Sequence, residues 1–361
     1  MKAATIRDVA VHAKVSVASV SRVLNETGTV NEPTRQRILQ SIDALRYVPH
    51  SGARSLSTSR TEAVGVILPD LFGEFFSELI RGMDVAARAH GLHLIISSSH
   101  DDAADASAAI RSMRGRVDGM IVLSPHMNAV SLTASLPGRT PVLLMNGGAT
   151  DAGRPSIRID NRAGAMMAVQ HLLALGRTRI FHISGPTGNL EAEVRRAGYA
   201  EALGEAGLPP QVLDGDFTQA AGYRAVMRML DGGERPDAIF AGNDMMAVGA
   251  LLALQEAGVV CPEDVAVVGF DDVPIAELVR PALTTVRVDI AGTGKRAMER
   301  LVALIHAAGD PLAEQDVANE VVQPTLVVRG STTTTDTQAQ PLPAKTKTPA
   351  GQPSLEESQN A

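Results

Sequence analysis

The apolar positions change period along the chain, and each change marks a boundary. From Thr5 to Leu45 they recur at helical spacing, as Val9, Ala10 and Ala13, then Val20, Val23 and Leu24, then Ile38, Ile42 and Leu45. Thr5 with Asp8 three residues on, Ser16, and Asn31 followed by Pro33 are start signals for three short helices. A tight Lys14-Val15 turn joins the first two, which predicts a helix-turn-helix. From Ala63 the pattern switches to short β-branched runs: Ala63–Leu68, His93–Ser97, Gly119–Leu123, Pro141–Met145, Ser156–Ile159, Arg179–Ile183, Ala238–Ala241, Val265–Phe270 and Thr284–Val288. Amphipathic stretches separate them, such as Phe76, Leu79, Ile80, Met83 and Ala87. Alternating strand and helix predicts parallel sheets covered on both faces, and this many strands predicts two doubly wound subdomains rather than one. Ligands in such folds sit beyond the carboxyl ends of the strands.

The expected units are a helix-turn-helix head over residues 1–48, a linker over 49–61, a two-subdomain α/β core over 62–330 and a tail over 331–361. From Ser331 on, the chain has no aromatic residue and too little apolar surface to offset ordering, so the tail is expected to be disordered.

Charge sharpens this division. Across 361 residues the net charge is −7, which on average argues against a polyanionic partner. Residues 1–60, however, hold nine basic and four acidic side chains, +5, and leave −12 on the remainder. A cationic head on an acidic body suits a module that grips a polyanion while the body stays off it. The single cysteine, Cys261, allows no internal disulfide and fits a reducing compartment. The start has no apolar secretion segment and no run reaches membrane-spanning length, so a cytoplasmic protein without a membrane partner is expected.

The second helix, Val17 to about Leu24, leaves Val17, Ala18, Ser21 and Arg22 outward. Packing alone would make a generic three-helix domain; small outward residues beside an arginine favour a helix that enters a groove of DNA. Here the sequence resembles the LacI/GalR family of repressors. The resemblance rests on Thr5-Ile6-Arg7-Asp8-Val9-Ala10, on Val15 to Asn25 and on Ala53-Arg54-Ser55-Leu56, and runs on to about Ser331. It implies a core like the type I periplasmic binding proteins, a homodimer, and a palindromic double-stranded operator as partner.

By this resemblance the second helix lies in the major groove. Val17 and Ala18 would touch base edges, and Arg22 offers a fork for guanine. Ser16, Ser21 and Asn25 would hold phosphates, and Thr5 belongs to the same DNA-contacting set. Arg54 and Leu56 would lie in paired hinge helices that fold together on DNA, with Leu56 wedged into the minor groove. Gly52 stands where a better helix former is usual and weakens that hinge by about 1 kcal/mol.

Three of the seven phenylalanines fall within Phe72–Phe76, just after the first core strand, a placement suited to stacking on a ligand ring. The resemblance carries ligand contacts onto Phe75, Asn146, Asp160, Arg195, Phe217, Asn243 and Asp271. Asp, Asn and Arg around aromatic faces match the donors and acceptors of sugar hydroxyls, whereas Asn243 alone could be a helix cap. The expected input is a small sugar-like effector that releases the repressor from carbohydrate-utilisation genes. A nucleoside, a sugar acid clamped by Arg195, or a protein corepressor remain open alternatives. No cofactor or metal set is evident. Gly292-Thr293-Gly294-Lys295 lacks the spacing and hydroxyl of a phosphate loop, so an enzyme is not expected. A carbohydrate-binding protein or enzyme on the same core is the rival of another class, and the head argues against it.

Overall fold

In the computed structural model the described residues are 4–25, 28–48, 60–100, 102–123, 130, 134–136, 140–146, 154–308 and 319–333. The head is three helices, α1 (Ile6–Ala13), α2 (Val17–Leu24) and α3 (Glu32–Ala44). Thr5 and Asp8 form a reciprocal cap at the start of α1, Ser16 accepts from the Ser19 N–H, and Asn31 accepts from the Thr34 N–H. Lys14 takes the left-handed conformation (φ 54°) that turns the chain from α1 into α2. Val9, Ala10, Ala13, Val20, Val23, Ile38 and Tyr47 make the small core, with Ile42 and Leu45 only partly covered. Cores this small are marginal, so the caps matter: a lost cap costs about 1 kcal/mol.

The core holds two six-stranded sheets. The first sheet contains β1 (Ala63–Leu68), β2 (His93–Ser98), β3 (Gly119–Leu123), β4 (Val142–Met145), β5 (Ser156–Ile159) and β11 (Glu320–Val322), in the order β11-β5-β4-β3-β1-β2, all parallel. The second contains β6 (Ile180–Ile183), β7 (Gln211–Leu213), β8 (Ala238–Ala241), β9 (Ala266–Asp271), β10 (Thr284–Arg287) and β12 (Thr325–Val327), in the order β12-β10-β9-β8-β6-β7. Only β12 runs antiparallel, against β10. Central strands such as β1, β3 and β8 are buried along their whole length, which is why their residues read as continuous apolar runs.

The helices are α4 (Glu74–Ala89), α5 (Ala103–Met113), α6 (Asn161–Ala174), α7 (Leu190–Glu205), α8 (Gln219–Asp231), α9 (Asp244–Glu256), α10 (Ile275–Leu278) and α11 (Ile290–Ala307). The chain passes between subdomains three times, from β5 into α6, from β10 into α11 and from β11 into β12. One helix pair, α8 and α9, approaches closely at two glycines. A Cβ on Gly249 of α9 would lie 2.0 Å from the Gln219 carbonyl oxygen of α8, and one on Gly222 of α8 2.1 Å from that of Met246.

All nine expected strands are present, within a residue or two of their expected ends. Three were not expected: β7, β11 and β12, each three residues long and too short for a period to show. The tail boundary also shifts. Ser331 is fully buried, with its hydroxyl donating to the Val267 carbonyl (2.6 Å) and accepting from the Thr284 N–H (2.8 Å). Thr332 shares a 2.8 Å hydrogen bond with the Thr284 hydroxyl. These polar residues close the second sheet by hydrogen bonding, a contribution that hydropathy does not register. The rest of the expected tail, 334–361, lies outside the described residues, as does most of the linker.

Candidate functional site

Two places carry the expected chemistry, the outer face of α2 and the cleft between the sheets. On α2, Val20 and Val23 are buried while Val17, Ala18 and Arg22 are exposed and Ser21 is half-buried. The outward set is therefore one helix face, as the spacing requires. Thr5 and Ser16 face solvent with hydroxyls engaged in capping, and the Asn25 amide donates to Ser21 Oγ (3.2 Å). Arg54 and Leu56 lie outside the described residues.

The cleft lies where the strands' carboxyl ends of both sheets face each other, around a cavity of about 150 Å³. From the first subdomain come Asp70 and Phe72 after β1, Glu74 and Phe75 at the start of α4, and Asn146 after β4. From the second come Asn189, Glu191 and Arg195 at the start of α7, Phe217 after β7, Asn243 after β8 and Asp271 at the end of β9. The Glu74 carboxylate accepts from the Ile275 N–H (2.9 Å) and so ties α4 to α10 across the cleft.

Arg195 organises the wall. Its Nε donates to Asn161 Oδ1 (2.7 Å), Nη1 to the Gly242 carbonyl (2.5 Å) and Nη2 to Asp271 Oδ1 (3.4 Å), and its guanidinium lies 3.8 Å from the centre of the Phe270 ring. The Asn161 amide in turn donates to the carboxyl of Glu191. A chain Glu191–Asn161–Arg195–Asp271 thus starts on α7, passes through the first crossover at Asn161 and ends on β9. Asp271 (φ 110°) and Phe217 (φ 67°) occupy the left-handed side of backbone space, a strain that the surrounding packing sustains at a binding wall.

Burial raises the carboxyls here above their ordinary range. Glu191 is pushed up to about 7 and Asp271, despite Arg195, to about 6. Asp244, fully buried beneath them, is raised well above its usual value by burial and by the Asp271 charge. The folded protein therefore holds protons that the unfolded chain has released, and these groups lower stability as pH rises from about 4.5 toward 7. His182 acts in the opposite direction. Stacked between Tyr199 and Phe240, it is pushed down to about 4 by burial, so stability is lost as pH falls from 6.5 toward 4. Glu191→Gln is expected to flatten the decline above pH 5. It should stabilise the protein at neutral pH by roughly 2 kcal/mol, less than the full shift because the carboxyl opens onto the cavity. Urea unfolding across pH measures it; an unchanged profile would count against a protonated Glu191.

Six of the seven expected ligand residues, Phe75, Asn146, Arg195, Phe217, Asn243 and Asp271, line the one cavity. Asp160 does not reach it. Its carboxylate caps α6 by accepting from the Ala163 N–H (3.0 Å), because the chain turns into the second subdomain immediately after it. Asn243 lines the cavity with its polar atoms engaged, Oδ1 accepting from the Met246 N–H (2.9 Å) and Nδ2 donating to the Phe217 carbonyl (3.0 Å). Glu74, Glu191 and Asp216 also line the cavity, and Asn161 stands behind Arg195; none of the four is among the expected ligand contacts. Glu191 follows a strand and an Asn cap in the sequence, which is a weak signal; Asn161 carries none, because its partner lies 34 residues on.

Comparison with known proteins agrees with this geometry. Residues 5–50 match the family model described as "Bacterial regulatory proteins, lacI family", and residues 169–332 match "Periplasmic binding protein-like domain". Catabolite control protein A of Priestia megaterium is 36% identical over 305 residues, 82% of this chain and 91% of that one. The HTH-type transcriptional repressor CytR of Escherichia coli K12 is 33% identical over 339 residues, 91% and 96% of the two chains. A lac repressor dimer bound to operator and the anti-inducer ONPF superposes with a TM-score of 0.81 at 28% identity, covering 92% of this chain and 99% of that one. With a head and core that match these family models, and curated relatives at 33–36% identity over 82–91% of its length, the chain belongs to the LacI family and is a DNA-binding transcriptional repressor.

Proposed function

We propose that the protein is a homodimeric repressor of carbohydrate-utilisation genes, bound to a palindromic operator through α2 and released by a small, uncharged, hydroxyl-rich effector in the cleft. The observation that carries the effector class is charge. Asp70, Glu74, Glu191, Asp216, Asp244 and Asp271 line the cavity against one cation, Arg195, whose guanidinium already serves Asn161, Gly242 and Asp271. Burial favours the neutral form of Glu191, Asp244 and Asp271, which leaves Asp70, Glu74 and Asp216 as the carboxylates that an anion would meet. A sugar acid or sugar phosphate would meet repulsion and no available fork, whereas hydroxyls can donate to these carboxyls and stack on Phe72, Phe75 and Phe217. A nucleoside shares that neutral, ring-bearing chemistry and is the second reading. Closing the cleft on the effector changes the angle between subdomains and separates the heads, driven by tighter binding to the closed form.

A thermal-shift screen over neutral sugars, nucleosides, sugar acids and sugar phosphates tests this. The expected result is stabilisation by a neutral compound that also weakens operator binding; stabilisation by anions alone would overturn it. Support for the dimer comes from β2, an edge strand that leaves Ile95 exposed, apolar surface that a second copy would cover. Sedimentation should give a dimer. On the DNA side, Arg22→Ala is expected to weaken operator binding about 10- to 100-fold, roughly 1–3 kcal/mol, while binding to random duplex changes little. Equal losses on both duplexes would make Arg22 a phosphate contact instead.

A further inference from the structure

The first sheet is parallel, so β1, β2 and β3 all begin on one edge, with Ala63 opposite His93 and Val64 opposite Gly119. This edge faces away from the cleft and receives the chain from the head. Asp118, just before β3, accepts from the Thr61 N–H (2.7 Å) and the Glu62 N–H (3.0 Å), which ties the loop before β3 to the start of the core. Arg111, Arg114 and Arg116 occupy that loop and the last turn of α5. All three are exposed, and among the described residues none has an ion-pair partner. Other core arginines, such as Arg81, Arg88, Arg162, Arg179 and Arg329, are paired with carboxylates. The dipole of α5 accounts for a cation at Arg111, but Arg114 and Arg116 lie past its end, within a core that is acidic overall. Three like charges within six residues repel one another, and among the described residues none of them forms an ion pair that would offset this.

We propose that Arg111, Arg114 and Arg116 form a second DNA contact, which holds backbone phosphates of the duplex flanking the site that the head reads. The head is tethered to this edge by the twelve steps from Val48 to Arg60, a span of at most roughly 40 Å, so DNA gripped by the head lies on this side of the core. Arginine forks match phosphate oxygens, and contact of this kind adds affinity without reading sequence. The inference rests on the DNA-binding reading above.

The test compares the full-length protein with Arg111→Gln/Arg114→Gln/Arg116→Gln on two duplexes carrying an operator selected from random sequence. One duplex is trimmed to the operator, and the other is extended by about 10 base pairs, one helical turn, at each end. The wild type is expected to bind the longer duplex with a steeper dependence on salt. The variant should lose about 0.9 of slope per abolished contact there, up to about 5.4 for the six arginines of a dimer, and match the wild type on the trimmed duplex. Equal slopes for both proteins on the longer duplex would overturn the inference and leave the arginines to an acidic protein partner. Equal losses on both duplexes would overturn it too, by placing the effect at the head's own site. A wild type with no preference for any selected sequence would instead defeat the DNA-binding reading itself.

Discussion

Replacing Arg195 with methionine is expected to destabilise the protein by about 3–5 kcal/mol and to abolish the effector response. The stem volume is nearly kept, so the loss is chiefly electrostatic. Asp271, 5% exposed, would lose its cation, and the Gly242 carbonyl and Asn161 would lose their donors. A domain typically has only about 5–15 kcal/mol of stability, so a lower yield of folded protein is expected as well. The signature that separates this from a simple packing defect is the double variant. Adding Asp271→Asn removes the uncompensated carboxylate and should recover part of the lost stability in denaturant unfolding, with a coupling of opposite sign to the single losses. Additive losses would show that the pair does not hold the wall.

Gly249→Val is expected to cost about 3 kcal/mol or more, beyond ordinary overpacking, because the obstacle is backbone. Its Cβ would lie 2.0 Å from the Gln219 carbonyl oxygen and 2.7 Å from the Tyr223 nitrogen, atoms that cannot rotate aside. α8 and α9 would have to separate along the seam that Gly222 and Gly249 make close. That seam lies on the second sheet beneath the residues that present Phe217 and Asn243 to the cavity, so effector affinity should fall with stability. A thermal melt reads the first effect and effector titration the second. A variant as stable as the wild type would mean the helices are not held this close in solution.

How much of this was legible depended on the length of each signal. Central strands such as β1, β3 and β8 show as apolar runs because both of their faces are buried, edge strand β2 shows through Leu94, Ile95 and Ile96, and the head shows because each of its helices carries its own cap. β7, β11 and β12 escaped, since three residues cannot establish a period and their pairing partners lie far away in sequence. Composition places Ser331 and Thr332 in a tail because it registers polarity and not the hydrogen bonds that satisfy it. In the cleft, Arg195 and Asp271 were found through resemblance, but their roles were not. Sequence leaves Arg195 open as a clamp for an anion, and only the fold shows its guanidinium engaged with Asn161, Gly242 and Asp271. Asp160 caps a helix at the first crossover and stands outside the cavity lining, a placement that the motif alone does not give.

The sequence by itself determined the helix-turn-helix head, the alternating core, the order of the units and the cationic start on an acidic body. These follow from local period, capping chemistry and charge, which neighbouring residues express without reference to the fold. Only the tertiary structure decided that six carboxyls share one cavity with an already occupied arginine, that Glu191 belongs among them, and that three unpaired arginines lie on the edge nearest the head. Those facts depend on which distant residues come within a few ångströms of one another, where burial and Coulomb forces act, and no local pattern encodes that proximity.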